Sequence, residues 1–137
     1  MGARWRDGRG SLLVHGDVNK VGEVGKVGEV VDGVVVPLEL ATSYRARTKG
    51  LLGRDRVDGA LLLSPAGSVH TFGMRVPIDV AYLDGRLRVL AVVTMRPGRL
   101  GLPRLRSRHV LEAAAGAMAG WGLRAGVRVE VRVQGRA

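Results

Sequence analysis

The chain has 137 residues, enough for one domain, and 46% of them are hydrophobic while only 4% are aromatic, so its core must be aliphatic. The absence of cysteine excludes a disulfide framework, a thiolate metal site and a cysteine nucleophile. The 22 basic residues, 19 of them arginine, exceed the 12 acidic ones and give a net charge of +10, which indicates either anion binding or a compositional bias of the coding sequence.

The first 33 residues are rich in glycine, and the unit Val-Gly-Glu-Val occurs twice between Val21 and Val30. Glycine at every third position is unfavourable in a helix or a strand, so residues 1–33 are predicted to form a flexible leader. The Gly-Lys-Ser/Thr signature of a phosphate loop is absent. The apolar runs are too short for a secretion signal or a membrane span, so we expect a cytoplasmic protein that is not transmembrane.

The ordered domain is predicted to span residues 34–137. Its first strand covers Val34–Leu40, and Pro37 favours an edge position or a bulge for this strand. An amphipathic helix is predicted next, from a capping residue at Ser43 to Leu52, because apolar residues recur there at helical spacing.

From residue 59 onward the pattern is typical of β-structure. Short apolar runs and alternation predict strands at 59–63, 69–74, 78–83, 86–95, 109–112 and 127–133. Asp84 and Gly85 predict a two-residue hairpin turn with a positive φ at Gly85. Six to seven short strands with one amphipathic helix near the start of the domain favour a mainly β fold, a compact β-sandwich or barrel.

Several stretches resemble the family known as domain of unknown function 192, or uncharacterised protein family 0127. The most specific stretch runs from Ser68 to Asp84 and contains His-Thr-Phe-Gly-Met followed by Arg-Val-Pro-Ile-Asp. Other similar stretches follow in family order at 41–54, 59–63, 110–116 and 122–126. Many relatives have Trp in place of Gly73 and Asn in place of Val76. The resemblance implies a small, mainly β domain with a helix near its start, and it implies no established reaction.

The segment from His70 to Asp79 is the first candidate site. The Val76-Pro77 pair turns the chain, so that the His70 and Asp79 side chains can meet across a hairpin. A carboxylate beside an imidazole fixes the tautomer of the ring and raises its basicity, as a general base requires. A buried structural histidine, or an aspartate that binds backbone amides, is the alternative interpretation.

Further charged residues near this segment complete the candidate ligand-binding set. Arg75 with Arg45 or Arg54 can form a fork for a carboxylate or phosphate, or Arg75 can instead pair with Asp79. Glu112 lies in an apolar run, and a buried carboxylate must be paired, so Arg45 and Arg54 are its candidate partners. Such a pair is either structural or part of a site. The candidate ligand-binding residues are Arg45, Arg54, His70, Arg75, Asp79 and Glu112.

Residues 96–108 contain five arginines and no acidic residue, and they form the second candidate site. In an extended loop, alternate arginines can follow a phosphate backbone or an anionic membrane surface. The loop contains no aromatic side chain to stack on bases, and a simple solvated loop is the alternative. The candidate anion-binding residues are Arg96, Arg99, Arg104, Arg106 and Arg108.

Three functions therefore remain open from the sequence. The first is a small binding module for an unknown small molecule or protein, with a cleft near the His70–Asp79 hairpin. The second is a small hydrolase or isomerase that uses His70 and Asp79, and the third is a binder of an anionic surface or nucleic acid through residues 96–108. The three histidines are isolated from other ligand types, so no metal or cofactor is expected.

Overall fold

The computed structural model describes residues 5–15 and 33–134, which form seven strands and two short helices. In chain order the elements are β1 (Gly8–Val14), β2 (Val34–Ala41), α1 (Tyr44–Lys49), β3 (Ala60–Leu63), β4 (Ile78–Leu83), β5 (Val89–Met95), β6 (His109–Ala114), α2 (Ala117–Gly120) and β7 (Val129–Val133). The predicted mainly β class is confirmed, and the predicted strands at 34–40, 59–63, 78–83 and 109–112 are present as β2, β3, β4 and β6.

The seven strands form one open mixed sheet in the order β5-β4-β6-β3-β2-β1-β7. The β2–β3 pair is parallel, and the other paired strands are antiparallel. The edge strands β5 and β7 meet only near their starts, where Val89 N donates to Val127 O (2.7 Å) and Arg88 pairs with Arg128. The structure is therefore mainly β as predicted, but its seven strands form an open mixed sheet and not a closed barrel.

Each face of the sheet carries its own apolar core. The central strands β3 and β4 are buried along their whole length. In β4, Ala81 and Leu83 belong to one core with residues of β1, β2 and α2, whereas Val80 and Tyr82 belong to the other core. Apolar runs of this kind are typical of strands that are covered on both faces.

Strand β1 lies within the stretch that was expected to be a flexible leader, and for residues 8–14 that prediction is wrong. It pairs with β2 on one side and β7 on the other, and it contributes Leu12 and Val14 to the first core. The Val-Gly-Glu-Val repeat between Val21 and Val30 lies outside the described residues.

Strand β2 occupies an interior position, although Pro37 suggested an edge or a bulge. Proline has no N–H group to donate to the hydrogen-bond ladder of a sheet. The parallel pairing with β3 begins at the next residue, Leu38, opposite Ala60, so β3 requires no hydrogen bond from Pro37. Gly59 makes this junction possible, because it has a positive φ of 66° and a Cβ there would clash with the Pro37 carbonyl oxygen.

The turn between β4 and β5 also differs from the prediction. Asp84 O accepts a hydrogen bond from Leu87 N (3.0 Å), and Leu87, not Gly85, has the positive φ, 63°. The Asp84 carboxylate accepts hydrogen bonds from the backbone N–H groups of Arg86 and Arg88 at 2.8 and 3.0 Å. These bonds stabilise a longer turn, so β5 begins later than the sequence pattern indicated.

The predicted strand at 69–74 is absent, and these residues form a loop that crosses the second core. His70 pairs with Leu100 in a single bridge. Thr71 is fully buried, and its N–H and hydroxyl both bond to the backbone of residues 96–99. Gly73 follows with a positive φ of 76°. The buried polar side chain therefore holds this segment against the loop of residues 96–108 and away from the sheet.

Candidate functional site

Helix α1 is held over the second core by contacts at its N-terminal end. It spans Tyr44–Lys49 and is shorter than the predicted helix. Ser43 caps it, since the Ser43 hydroxyl accepts a hydrogen bond from Ala46 N (3.1 Å). Asp7, just before β1, accepts hydrogen bonds from the backbone N–H groups of Thr42 and Ser43. A hydrogen bond from the Ser43 side chain, together with those from the two backbone N–H groups, holds the pKa of Asp7 well below its usual range. The start of α1 is thus fixed from two directions.

Two connected cavities lie between α1, the chain that follows β3, and the sheet. The wider one, called here the outer groove, has a volume of about 580 Å³ and reaches Arg104 and Arg108. The narrower one, the inner chamber, has a volume of about 80 Å³ and reaches His70 and Glu112. The two share four lining residues, and they therefore form one continuous site: Arg47, Thr48, Leu63 and Ser68.

Glu112 lies on β6 and lines the inner chamber. Its side chain is 5% exposed, and its carboxyl group makes no hydrogen bond or ion pair with any other described residue. Burial raises the pKa of Glu112 to about 7, although the positive charge of Arg54 lowers it in part. The carboxyl group is therefore present in both protonation states near neutral pH.

Gly50 provides the space in front of this carboxyl group. It ends α1 with a positive φ of 45°, and its N–H donates to Ala46 O (2.9 Å). A Cβ at this position would lie 3.3 Å from Glu112 Oε1. A side chain would therefore both strain the helix end and crowd the carboxyl group.

Arg47 connects α1 to the opposite wall of the site. Its Nε donates to Thr42 O (3.2 Å) and its Nη1 donates to Pro65 O (3.0 Å). This residue was not identified as a site candidate from the sequence. The available signal was its position four residues before Leu51, which is buried, because residues at that spacing share one helix face.

The predicted contact between His70 and Asp79 does not form. Asp79 lies on the face of β4 that holds the first core, where its oxygens accept hydrogen bonds from Thr94 Oγ1 (2.7 Å) and Met118 N (3.1 Å). His70 lies over the other face, exposed and stacked on Phe72 with ring centroids 5.3 Å apart. Asp79 thus holds α2 in place, while His70 lines the inner chamber with Glu112.

The predicted arginine fork is also wrong, because its members have different surroundings. Arg54 forms two hydrogen bonds with Glu39 (2.9 and 3.2 Å), so it is not a direct partner of Glu112. Arg75 pairs with Asp55 (3.0 Å) on the surface, away from Asp79. Arg45 is exposed on α1 and has no ion pair with a described residue.

The arginines of residues 96–108 lie on a loop that is fixed to the rest of the domain. Arg104 stacks its guanidinium group over the Tyr82 ring, 4.6 Å from the centroid, and lines the outer groove together with Arg108. Arg96 and Arg99 line a separate depression of about 490 Å³ beside Tyr82. Arg106 lines neither of these two cavities.

Within residues 5–15 and 33–134, no group of three or more histidine, aspartate or glutamate side chains is arranged to hold a metal ion. No helix in the same residues is long and apolar enough to cross a membrane.

Comparisons with known proteins identify relatives of this chain. It is 31% identical over 84 residues to a UPF0127 protein of Pyrococcus horikoshii, covering 58% of this chain and 73% of the relative. It is 29% identical over 99 residues to a UPF0127 protein of Pyrococcus abyssi, covering 69% of this chain and 80% of the relative.

Solved structures support the fold. A Novosphingobium aromaticivorans protein of unknown function matches with a TM-score of 0.71 at 20% identity, covering 89% of this chain and 84% of that one. The model of the DUF192 family, described as Uncharacterized ACR, matches residues 27–131. That match spans well over half of the chain, and the chain therefore belongs to the DUF192 family of proteins of unknown function.

Proposed function

We propose that this protein is a binding module for a small molecule that enters the outer groove and donates a hydrogen bond to Glu112 in the inner chamber. The supporting observation is the nearly buried Glu112 carboxyl group without a partner among the described residues. The carboxyl oxygens remain accessible through the inner chamber, since no fully buried side-chain oxygen of the described residues lacks a partner. A ligand that enters the chamber can donate a hydrogen bond to this largely desolvated acceptor, and this gives the site a preference for such a ligand.

The charges along the site suggest the rest of the ligand. Glu112 is the only acidic residue among the described residues that line the two cavities, whereas Arg47, Arg104 and Arg108 line the outer groove. Guanidinium groups suit carboxylate and phosphate groups. The ligand that fits best therefore has a hydroxyl or amine at one end and an anionic group at the other.

The size of the inner chamber limits the group that contacts Glu112. Its 80 Å³ is less than three times the volume of about 30 Å³ that a water molecule occupies in the liquid. Only a small polar group fits there, and the remainder of the ligand lies in the outer groove.

An acid–base enzyme is the second candidate function, and the pKa of about 7 at Glu112, beside the exposed His70, favours it. Asp79 has no role in this proposed enzyme, because its two carboxylate oxygens accept hydrogen bonds from Thr94 and Met118. Mass spectrometry of a bound ligand after incubation separates the two functions, since an enzyme converts the ligand and a binding module returns it unchanged.

A thermal-shift screen tests the binding function. Small carboxylates and phosphates with an added hydroxyl or amine are compared on the wild-type protein, Glu112→Gln and a control variant, Glu130→Gln, which changes a distant carboxylate on β7. A ligand at 100 times its Kd adds about 2.7 kcal/mol to the free energy of unfolding. We expect the gain to fall in Glu112→Gln alone. Equal gains in all three proteins would contradict the proposed site.

The cytoplasmic location stays a prediction, which fractionation of cells that express the tagged protein would test.

A further inference from the structure

The loop of residues 96–108 presents unusually exposed leucines. Leu100, Leu102 and Leu105 are 71%, 79% and 98% exposed, which makes them the three most exposed large aliphatic side chains of the described residues. They lie within six residues of one another in the chain. A cluster of large apolar side chains that is fully offered to water marks an interaction surface.

These leucines cannot turn inward, because the backbone of the loop is tied to the domain. Gly101 N donates to Val69 O (2.7 Å), and Arg104 N donates to Gly67 O (3.0 Å). A Cβ on Gly101 would lie 2.8 Å from Tyr82 Oη, so the backbone lies directly on the core at this point. The leucines on either side of Gly101 are consequently held outward.

The same loop carries positive charge that no described carboxylate neutralises. None of its five arginines forms an ion pair with a described residue. Elsewhere, Arg54 and Arg75 are paired with acidic side chains. Exposed leucines and unpaired guanidinium groups thus occur together on one rigid loop.

We propose that this loop docks on an anionic lipid surface, with its leucines inserted among the acyl chains and with Arg96, Arg99 and Arg106, which lie outside the outer groove, bound to lipid phosphates. Membrane surfaces that carry anionic lipid attract basic segments, and apolar side chains strengthen the attachment by leaving water. A nucleic acid offers phosphates but no apolar layer for three leucines, and the loop has no aromatic side chain to stack on bases. An anionic lipid surface offers both an apolar layer for the leucines and phosphates for the arginines.

Vesicle sedimentation with the full chain tests this proposal. The vesicles contain phosphatidylcholine alone or phosphatidylcholine mixed with phosphatidylserine. We expect binding to the mixed vesicles only. The double variant Leu100→Ser/Leu102→Ser should bind at least about 100-fold more weakly, because each leucine loses its apolar contact. The double variant Arg99→Gln/Arg106→Gln should bind about 25-fold more weakly, since each basic residue near the surface contributes roughly 5-fold.

Matched controls exclude general effects of polarity and charge. Val35→Ser/Val133→Ser changes two exposed valines on the strands β2 and β7, and Arg86→Gln/Arg88→Gln removes the same charge from the β4–β5 turn. Both controls should bind like the wild-type protein. None of the changed side chains lines the outer groove or the inner chamber, so the result is independent of the ligand site.

A site-specific probe measures insertion directly. The chain has no cysteine, so Leu102→Cys can be labelled uniquely with an environment-sensitive dye. The dye emission should shift to the blue on mixed vesicles, and the same dye at Val35→Cys should not respond. The proposal is overturned if the wild-type protein ignores the mixed vesicles, if the leucine variant binds as tightly as wild type, or if DNA is bound while vesicles are not.

Discussion

Replacing Glu112 by glutamine should change the pH dependence of stability in a defined way. Folding raises the pKa of Glu112 from its ordinary value of 4.5 to about 7. The native state therefore binds more protons than the unfolded state between these two values. The contribution of Glu112 to stability is complete below pH 4.5 and is lost as the pH rises through 7. Glutamine cannot ionise, so the stability of the Glu112→Gln variant should not show this loss as the pH rises.

The size of the effect follows from the same pKa difference. Each pKa unit corresponds to about 1.4 kcal/mol. Integrated over pH, the free energy of unfolding of the wild-type protein should fall relative to Glu112→Gln by about 2.5 kcal/mol between about pH 5 and about pH 8. The buried glutamine amide changes the free energy of unfolding by an amount that does not vary with pH. The test therefore uses the pH dependence of the difference between the two proteins and not its absolute size.

Urea unfolding of both proteins across this pH range measures the slope, because all other groups titrate in both and cancel in the difference. Glu130→Gln is the control, since Glu130 is partly exposed and far less buried than Glu112. A difference between wild type and Glu112→Gln that stays constant with pH would refute the raised pKa. It would also mean that the carboxyl group has a partner or full access to water.

Three further predictions concern the fold. Leu12→Ala should lower the free energy of unfolding in urea by about 2–5 kcal/mol, because Leu12 is fully buried in β1. Leu13 in the same strand is partly exposed, and an equal loss in Leu13→Ala would contradict a core role for Leu12. Thr71→Val should cost about 1–3 kcal/mol and speed amide exchange at Arg99, whose N–H it leaves without its hydroxyl acceptor. Burial lowers the pKa of His109, so stability should fall as the pH drops below 6.5, and an NMR titration that places this pKa at or above 6.5 would contradict the burial.

The sequence predicts the strands that are long apolar runs, and it fails where one residue type has two physical uses. Glycine suggested flexibility before Val14, yet Gly10 permits close packing, because a Cβ there would lie within contact of the Arg132 carbonyl oxygen in β7. Asp84-Gly85 indicated a tight turn, but the aspartate carboxylate stabilises a longer one. Both outcomes depend on contacts between distant parts of the chain, which local pattern does not contain.

The candidate site was predictable only in part for a similar reason. Glu112 and His70 were identified from their residue types, and they line one chamber. Asp79 was paired with His70 on the assumption of a hairpin, but the segment at 69–74 is a loop, and the two residues lie over opposite faces of the sheet. Arg47 was missed because a charged residue was assigned to solvent, although it lies about one helical turn before the buried Leu51.

The position of the proposed ligand site is a consequence of strand direction. Because β2 and β3 run the same way, the chain that leaves β2 must travel back along the sheet before β3 can begin, and α1 lies on that return path. Because the helix α1 in this return segment is short, it covers only part of the face of the sheet. The opening beside Glu112 is the part that α1 leaves uncovered. Insertions between Lys49 and Gly59 should therefore reshape the entrance of the site without disturbing the pairing of the strands, which would let related chains accept different ligands on one scaffold.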